Sequence, residues 1–264
     1  MSVDIKSKIA ELKARNGERK ILWKPKPGKQ TIRIVPYLHH PQGWSFIELY
    51  FHYNVSKKTL ISPSSFGRPD PIKEFADMLQ ASGDTEKWKQ GKKLQPTMRT
   101  YVPILVRGEE GEGIKYFGFG SQIYEQLLLK MDSPKWGDIT HPTEGRDIEI
   151  TFEKATGPTT FPKTTIDVDP ERTAVTTDRA VLESMKEMPD VSKLWSEPSY
   201  VDLKAILKEY IETGEPVNVG GSTETGHDDE DEAPAVVKGV AVETPKNSTS
   251  DADVTAAFKS YFNK

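Results

Sequence analysis

The 264-residue chain contains no cysteine, so disulfides and thiolate metal sites are both excluded. It has no apolar run approaching the ~20 residues of a membrane helix. Its first residues lack the apolar segment of a secretory signal, which makes an intracellular protein the expectation. Catalytic signatures are also missing. Pro27-Gly-Lys-Gln and Gln90-Gly-Lys-Lys have neither the spacing nor the hydroxyl of a phosphate-binding loop, and Gly108 to Gly120 does not satisfy a dinucleotide fingerprint. There is no His-Glu-x-x-His and no Gly-x-Ser-x-Gly elbow. His39, His40, His52, His141 and His227 do not pair at metal-ligand spacing with a carboxylate on one element. Asp167 and Asp169 alternate onto one strand face, which leaves a Mg²⁺-dependent nuclease as an alternative reading.

What is present is charge, unevenly placed. Residues 1–101 carry 19 Lys and Arg against 9 Asp and Glu, whereas residues 214–264 carry 4 against 10. A basic first part and an acidic end suit a polyanion binder with an interaction tail. Trp23 to Tyr37 concentrates the basic signal in Lys24, Lys26, Lys29 and Arg33, with an aromatic at each end. Ile32 and Ile34 alternate with Thr31, Arg33 and Val35, as in a strand approached through a Pro27-Gly28 turn.

Taken in order, Ser2 to Asn16 reads as a short basic amphipathic helix that includes Lys6 and Lys8. Phe46 to Val55 is a strand too aromatic to bury wholly, since neighbours on a strand face opposite ways; Tyr53 is a stacking candidate. Lys57-Lys58 makes a basic turn, and Arg68 sits on a proline-rich loop. Asp70 is placed to cap a helix over Pro71 to Gln80. A polar linker with Trp88 follows, then a strand over Val102 to Val106 whose Pro103 suggests an edge or bulge. Lys115 to Gly120 is the returning strand of a hairpin, and Gln122 to Met131 a helix. Strands over Asp147–Phe152 and Thr164–Val168 precede helices at about Asp178–Met188 and Tyr200–Thr213. Five or six strands with glycine bends and inserted helices predict a mainly β, α+β fold around a small OB-type barrel, with a sandwich as runner-up. Residues 1–20 read as an arm, 21–213 as the core and 214–264 as an acidic tail that buries too little to order itself. The tail ends in an amphipathic docking pattern of Phe258, Tyr261 and Phe262.

Several stretches together resemble the replicative single-stranded DNA-binding proteins of T-even-type bacteriophages, the helix-destabilising proteins. They are Trp23 to Pro36, Phe46 to Lys58, Ser64 to Ile72, Arg99 to Val106, Lys115 to Gly120 and Asp138 to Gly145. The resemblance implies an OB-fold core that binds single-stranded DNA without base specificity, in a cleft including Lys57, Lys58, Arg99, Tyr101, Lys115, Tyr116 and Phe161. The reading of the residues themselves adds Lys24, Lys26, Lys29, Arg33, Tyr53 and Arg68.

The resemblance also implies cooperative self-association through the basic arm at Lys6 and Lys8. It implies a tail that contacts replication and recombination proteins and competes for the cleft, and a location in the cytoplasm of an infected bacterium. Family members hold a structural zinc through one His and three Cys. His52 falls near the His position, but Ser62 to Pro71 supplies no Cys, so no zinc and no other cofactor is expected. The expected function is thus a non-catalytic protein that coats single-stranded DNA during replication, recombination and repair. The alternatives are the nuclease above and a docking scaffold that acts through the tail without binding DNA.

Overall fold

The computed structural model describes residues 21–157, 161–219, 256–258 and 260, and these form a mixed α/β protein. The stretch expected as an N-terminal helix, with Lys6 and Lys8, lies outside the described residues, as do Tyr261 and Phe262. Two compact units divide the chain. Of the described residues, one unit holds those up to Glu48 and those within Arg99–Leu194; the other holds Leu49–Met98 and those from Trp195 onward.

The first unit is built on a sheet. Its strands are β1 (Leu22–Trp23), β2 (Gly28–Ile34), β5 (Thr97–Val106), β6 (Lys115–Phe119), β7 (Gly145–Glu153) and β8 (Lys163–Thr173), in the order β1-β6-β5-β2-β7-β8. Only the β1–β6 pair is parallel; the other neighbours run antiparallel. The alternation of β7 explains its place. Ile148, Ile150 and Phe152 are buried, the first two in one core with Ile32 and Ile34, while Glu149 and Thr151 face the other way.

Pro103 is not on an edge strand, as its ring had suggested, because β5 pairs on both sides. Pairing with β2 runs to Ile34↔Ile104, and the Pro103 carbonyl accepts from Val35 N at 3.0 Å. The missing N–H therefore falls at the end of that ladder, where its loss breaks little.

Helix α3 (Ser121–Asp132) places Ile123 and Leu127 in the same core. Trp23 is buried there too, edge-on to Phe117 with ring centroids 5.2 Å apart. It is a packing residue and not a stacking platform. Helix α4 (Arg179–Lys186) completes the unit.

The second unit contains the hairpin of β3 (Ile47–His52) and β4 (Leu60–Ile61) with helices α1 (Pro71–Gln80), α2 (Thr85–Leu94) and α5 (Tyr200–Thr213). Asp70 caps α1 by accepting from Ile72 N at 2.9 Å and Lys73 N at 3.1 Å, and Pro71 occupies a first-turn position whose N–H would go unused. Phe75, Ala76 and Leu79 of α1 pack with Leu94 of α2 and with Leu203, Ile206 and Leu207 of α5. The stretch around Trp88, expected as a linker, is instead the helix α2. Asp84 caps it through Glu86 N and Lys87 N, and the helix is stabilised by docking a sparse apolar edge onto α1.

Candidate nucleic-acid interface

Arg33 was expected on a DNA-facing surface, and the structure corrects this. Its side chain is fully buried and donates to four backbone carbonyls: Ile139 O (2.8 Å) and Arg146 O (2.5 Å) from Nη1, His141 O (2.6 Å) and Thr173 O (3.0 Å) from Nη2. Burial lowers its pKa to about 10, which still leaves it charged at neutral pH. The guanidinium fits only because residue 145 is glycine; a Cβ there would lie 2.2 Å from Nη2.

Two expected stacking rings are corrected in the same way. Tyr116 is 0% exposed, and its hydroxyl donates to Pro189 O at 2.5 Å. Tyr101 is 6% exposed, its ring lying so close over Gly118 that a Cβ there would sit 2.6 Å from it. Neither can receive a base without opening the fold. Lys115 is also largely enclosed, between Glu109 (3.0 Å) and Glu112 (2.7 Å). Burial works against its charge, but the hydrogen bonds to the two glutamates outweigh it and raise its pKa.

Other candidates of the sheet unit do face solvent. Phe161 is 71% exposed and free to stack. Lys24 is exposed. Lys26 and Lys29 are exposed and meet Glu109 (3.0 Å) and Glu149 (2.7 Å) in solvent-facing pairs, interactions weak enough in water to exchange for phosphates. Arg99 is half-buried. A cluster not foreseen from sequence surrounds Trp136, with Lys130 and Lys135 Nζ each 4.7 Å from its ring centroid. The Lys-Trp dipeptide at 135–136 was its only sequence signal.

In the helical unit, two short stretches converge. The Asn54 side chain donates to Lys93 O at 3.2 Å, tying the turn after β3 to the last turn of α2. Val55 and Leu94 share one apolar cluster beneath. That brings the Tyr53–Lys58 turn beside a helix bearing Lys87, Lys89, Lys92 and Lys93 against a single Glu86. Trp88 is 45% exposed on that helix, with Lys92 Nζ 5.3 Å from its ring centroid. Lys57 is exposed, Lys58 and Tyr53 half-buried. The sequence places Trp88 in an expected linker and outside the expected interface; the i,i+4 spacing of Trp88 and Lys92 sets them on one face once that stretch is a helix. Arg68 lies over the Phe66 ring at 5.1 Å and pairs with Glu197.

The position of a family zinc carries a different chemistry here. His52 Nε2 lies 2.8 Å from Asp70 Oδ2, and Ser62 Oγ donates to the same carboxylate oxygen. Both side chains of the His–Asp pair are buried. One imidazole and one carboxylate already committed to a helix cap, in a chain without cysteine, do not fit zinc. Among the described residues there is no group of three or more His, Asp or Glu able to hold a metal. The Asp167 and Asp169 carboxylates each accept a nearby backbone N–H, from Val168 and Glu171 respectively.

Exposed lysines interleaved with accessible rings, on a scaffold whose buried cations are structural, define a module for nucleic-acid backbones and bases. The chain belongs to the gp32-like DNA-binding family, whose description, gp32 DNA binding protein like, matches residues 26–213. This is a family of single-stranded DNA-binding proteins and not of enzymes. No curated protein sequence matches the chain.

Proposed function

We propose that the protein coats single-stranded DNA, cooperatively and without sequence preference, during phage DNA replication, recombination and repair. Family membership over residues 26–213 supports DNA binding. The geometric observation that supports the binding mode is the Asn54–Lys93 hydrogen bond, which sets the turn carrying Tyr53, Lys57 and Lys58 beside α2 with its Trp88–Lys92 pair. Lysines release counterions by neutralising phosphates, and rings accept any base on their faces, so affinity is high and base discrimination low. In the sheet unit, Lys24, Lys26, Lys29, Arg99 and Phe161 serve the same chemistry on a sheet of OB type. No metal or cofactor takes part in this reading. It places the protein in the cytoplasm of an infected bacterium.

The acidic tail is proposed to compete with DNA and to recruit replication proteins. Its start is pinned beside the basic turn: Lys57 N donates to Val217 O, and Val217 N to Val55 O, each at 3.0 Å. Asp228 to Glu232 follow nine residues after Val219, a span that reaches roughly 30 Å when extended. These acids are therefore in range of Lys57 and Lys58. The basic arm with Lys6 and Lys8 is proposed to join neighbouring copies on the strand.

Anisotropy of a labelled oligo(dT) tests the reading. Log affinity is expected to fall linearly with log salt, and changing Asp228–Glu232 to their amides is expected to tighten binding at low salt. A salt-independent affinity would contradict the binding mode; an unchanged affinity in the amide variant would contradict tail competition alone.

A further inference from the structure

The end of the chain is not free of the fold. Residues 256–258 and 260 are helical, and Phe258 is 6% exposed. Its ring meets Phe75 of α1 edge-on with centroids 5.7 Å apart. Phe258 belongs to the same apolar cluster as Leu79 of α1 and Leu203, Ile206 and Leu207 of α5, and Ala257 packs on that cluster from outside. The chain leaves the helical unit from this cluster too, since Val217 is a member and Val219 packs against it. Between these two points lie residues 220–255, with nine Asp and Glu against two Lys.

We infer that the surface of α1 and α5 is a docking site for the chain's own C-terminal aromatic peptide, which closes residues 220–255 into an acidic loop tethered at both ends of one cluster. A free tail would sample a wide volume. A tail closed at Phe258 keeps its acids concentrated over the helical unit, and a protein that grips the C-terminal peptide has first to withdraw Phe258 from its seat. Tethering favours the intramolecular contact, because a covalently linked ligand acts at an effective concentration in the millimolar range. This inference rests on the packing of the helical unit and does not depend on DNA binding.

The absence of cysteine makes a direct test simple. Ala257→Cys in the full chain introduces the sole thiol, and its alkylation by a bulky maleimide is timed without DNA. The reference is a synthetic peptide of residues 250–264 with the same substitution, which has no surface to sit on. The docked thiol is expected to react at least about tenfold more slowly than the peptide, and adding Phe258→Ser is expected to abolish the protection. Equal rates in chain and peptide, or full protection retained by the Phe258→Ser chain, would overturn the inference. Protection that disappears on dilution would place the peptide on a second copy and overturn the intramolecular seat.

Discussion

The guanidinium of Arg33 occupies the space that a side chain at position 145 would need: a Cβ on Gly145 would come within 2.2 Å of Nη2. The two residues are therefore one structural unit, an arginine that gathers four carbonyls and a glycine that leaves room for it. Gly145→Ala forces the guanidinium out of position. Arg33→Met leaves those carbonyls without donors, at about 1–3 kcal/mol for each one that stays buried and unpaired. Both variants are expected to lower the urea midpoint sharply. The folded fraction is expected to bind DNA with unchanged salt dependence, since Arg33 reaches no phosphate.

Lys57 and Lys58 carry the opposite expectation. Replacing both with Ala should leave the unfolding midpoint nearly unchanged, as Lys57 is exposed and Lys58 half-buried. The slope of log affinity against log salt should become shallower by about 0.7 for each phosphate that is no longer neutralised. An unaltered slope in oligo(dT) titrations would remove this turn from the interface.

Two rings separate the same way. Trp88→Ala, at an exposed ring, is expected to weaken oligonucleotide binding by about 1–3 kcal/mol with little effect on folding. Tyr116→Phe removes only the hydroxyl that donates to Pro189 O, deep in the fold. It should lower stability by about 1 kcal/mol and leave affinity alone. Paired binding and unfolding curves for the two variants check both expectations.

Acid stability depends on Asp190. Burial opposes its charge, but hydrogen bonds from Ser192 and Tyr37 prevail and hold its pKa at about 2, below the ordinary 3.8. Tyr37 Oη donates at 2.6 Å. A depressed carboxylate pKa stabilises the fold above the unfolded value, and that contribution is lost as pH falls through the folded one. Stability is therefore expected to drop between about pH 4 and pH 2. Asp190→Asn should be less stable at pH 6 and should lose less over that window. Parallel pH profiles of the urea midpoint would show that Asp190 is not responsible.

Much of the scaffold was legible in the sequence because its signals are local. The Asp70-Pro71 cap and the Ile148–Ile150–Phe152 alternation each mark an element from within a few residues. The site was harder to read, because exposure depends on partners remote in sequence. Arg33 and Phe161 look alike as candidates until four distant carbonyls surround the first and solvent surrounds the second. Helix α2 was missed because its apolar edge is sparse and it is held by α1 rather than by its own periodicity. The seat of Phe258 could not be read at all, since an amphipathic end gives no indication of what it covers.

The central claim is that exposed rings and lysines of this chain engage single-stranded DNA. Quenching of intrinsic tryptophan fluorescence by oligo(dT) at low salt tests it most directly, because Trp88 and Trp44 are exposed whereas Trp23 and Trp195 are buried. The expected result is saturable quenching that reverses on adding salt and is reduced in Trp88→Phe. No quenching at any oligonucleotide concentration, from a protein shown to be folded, would contradict the account.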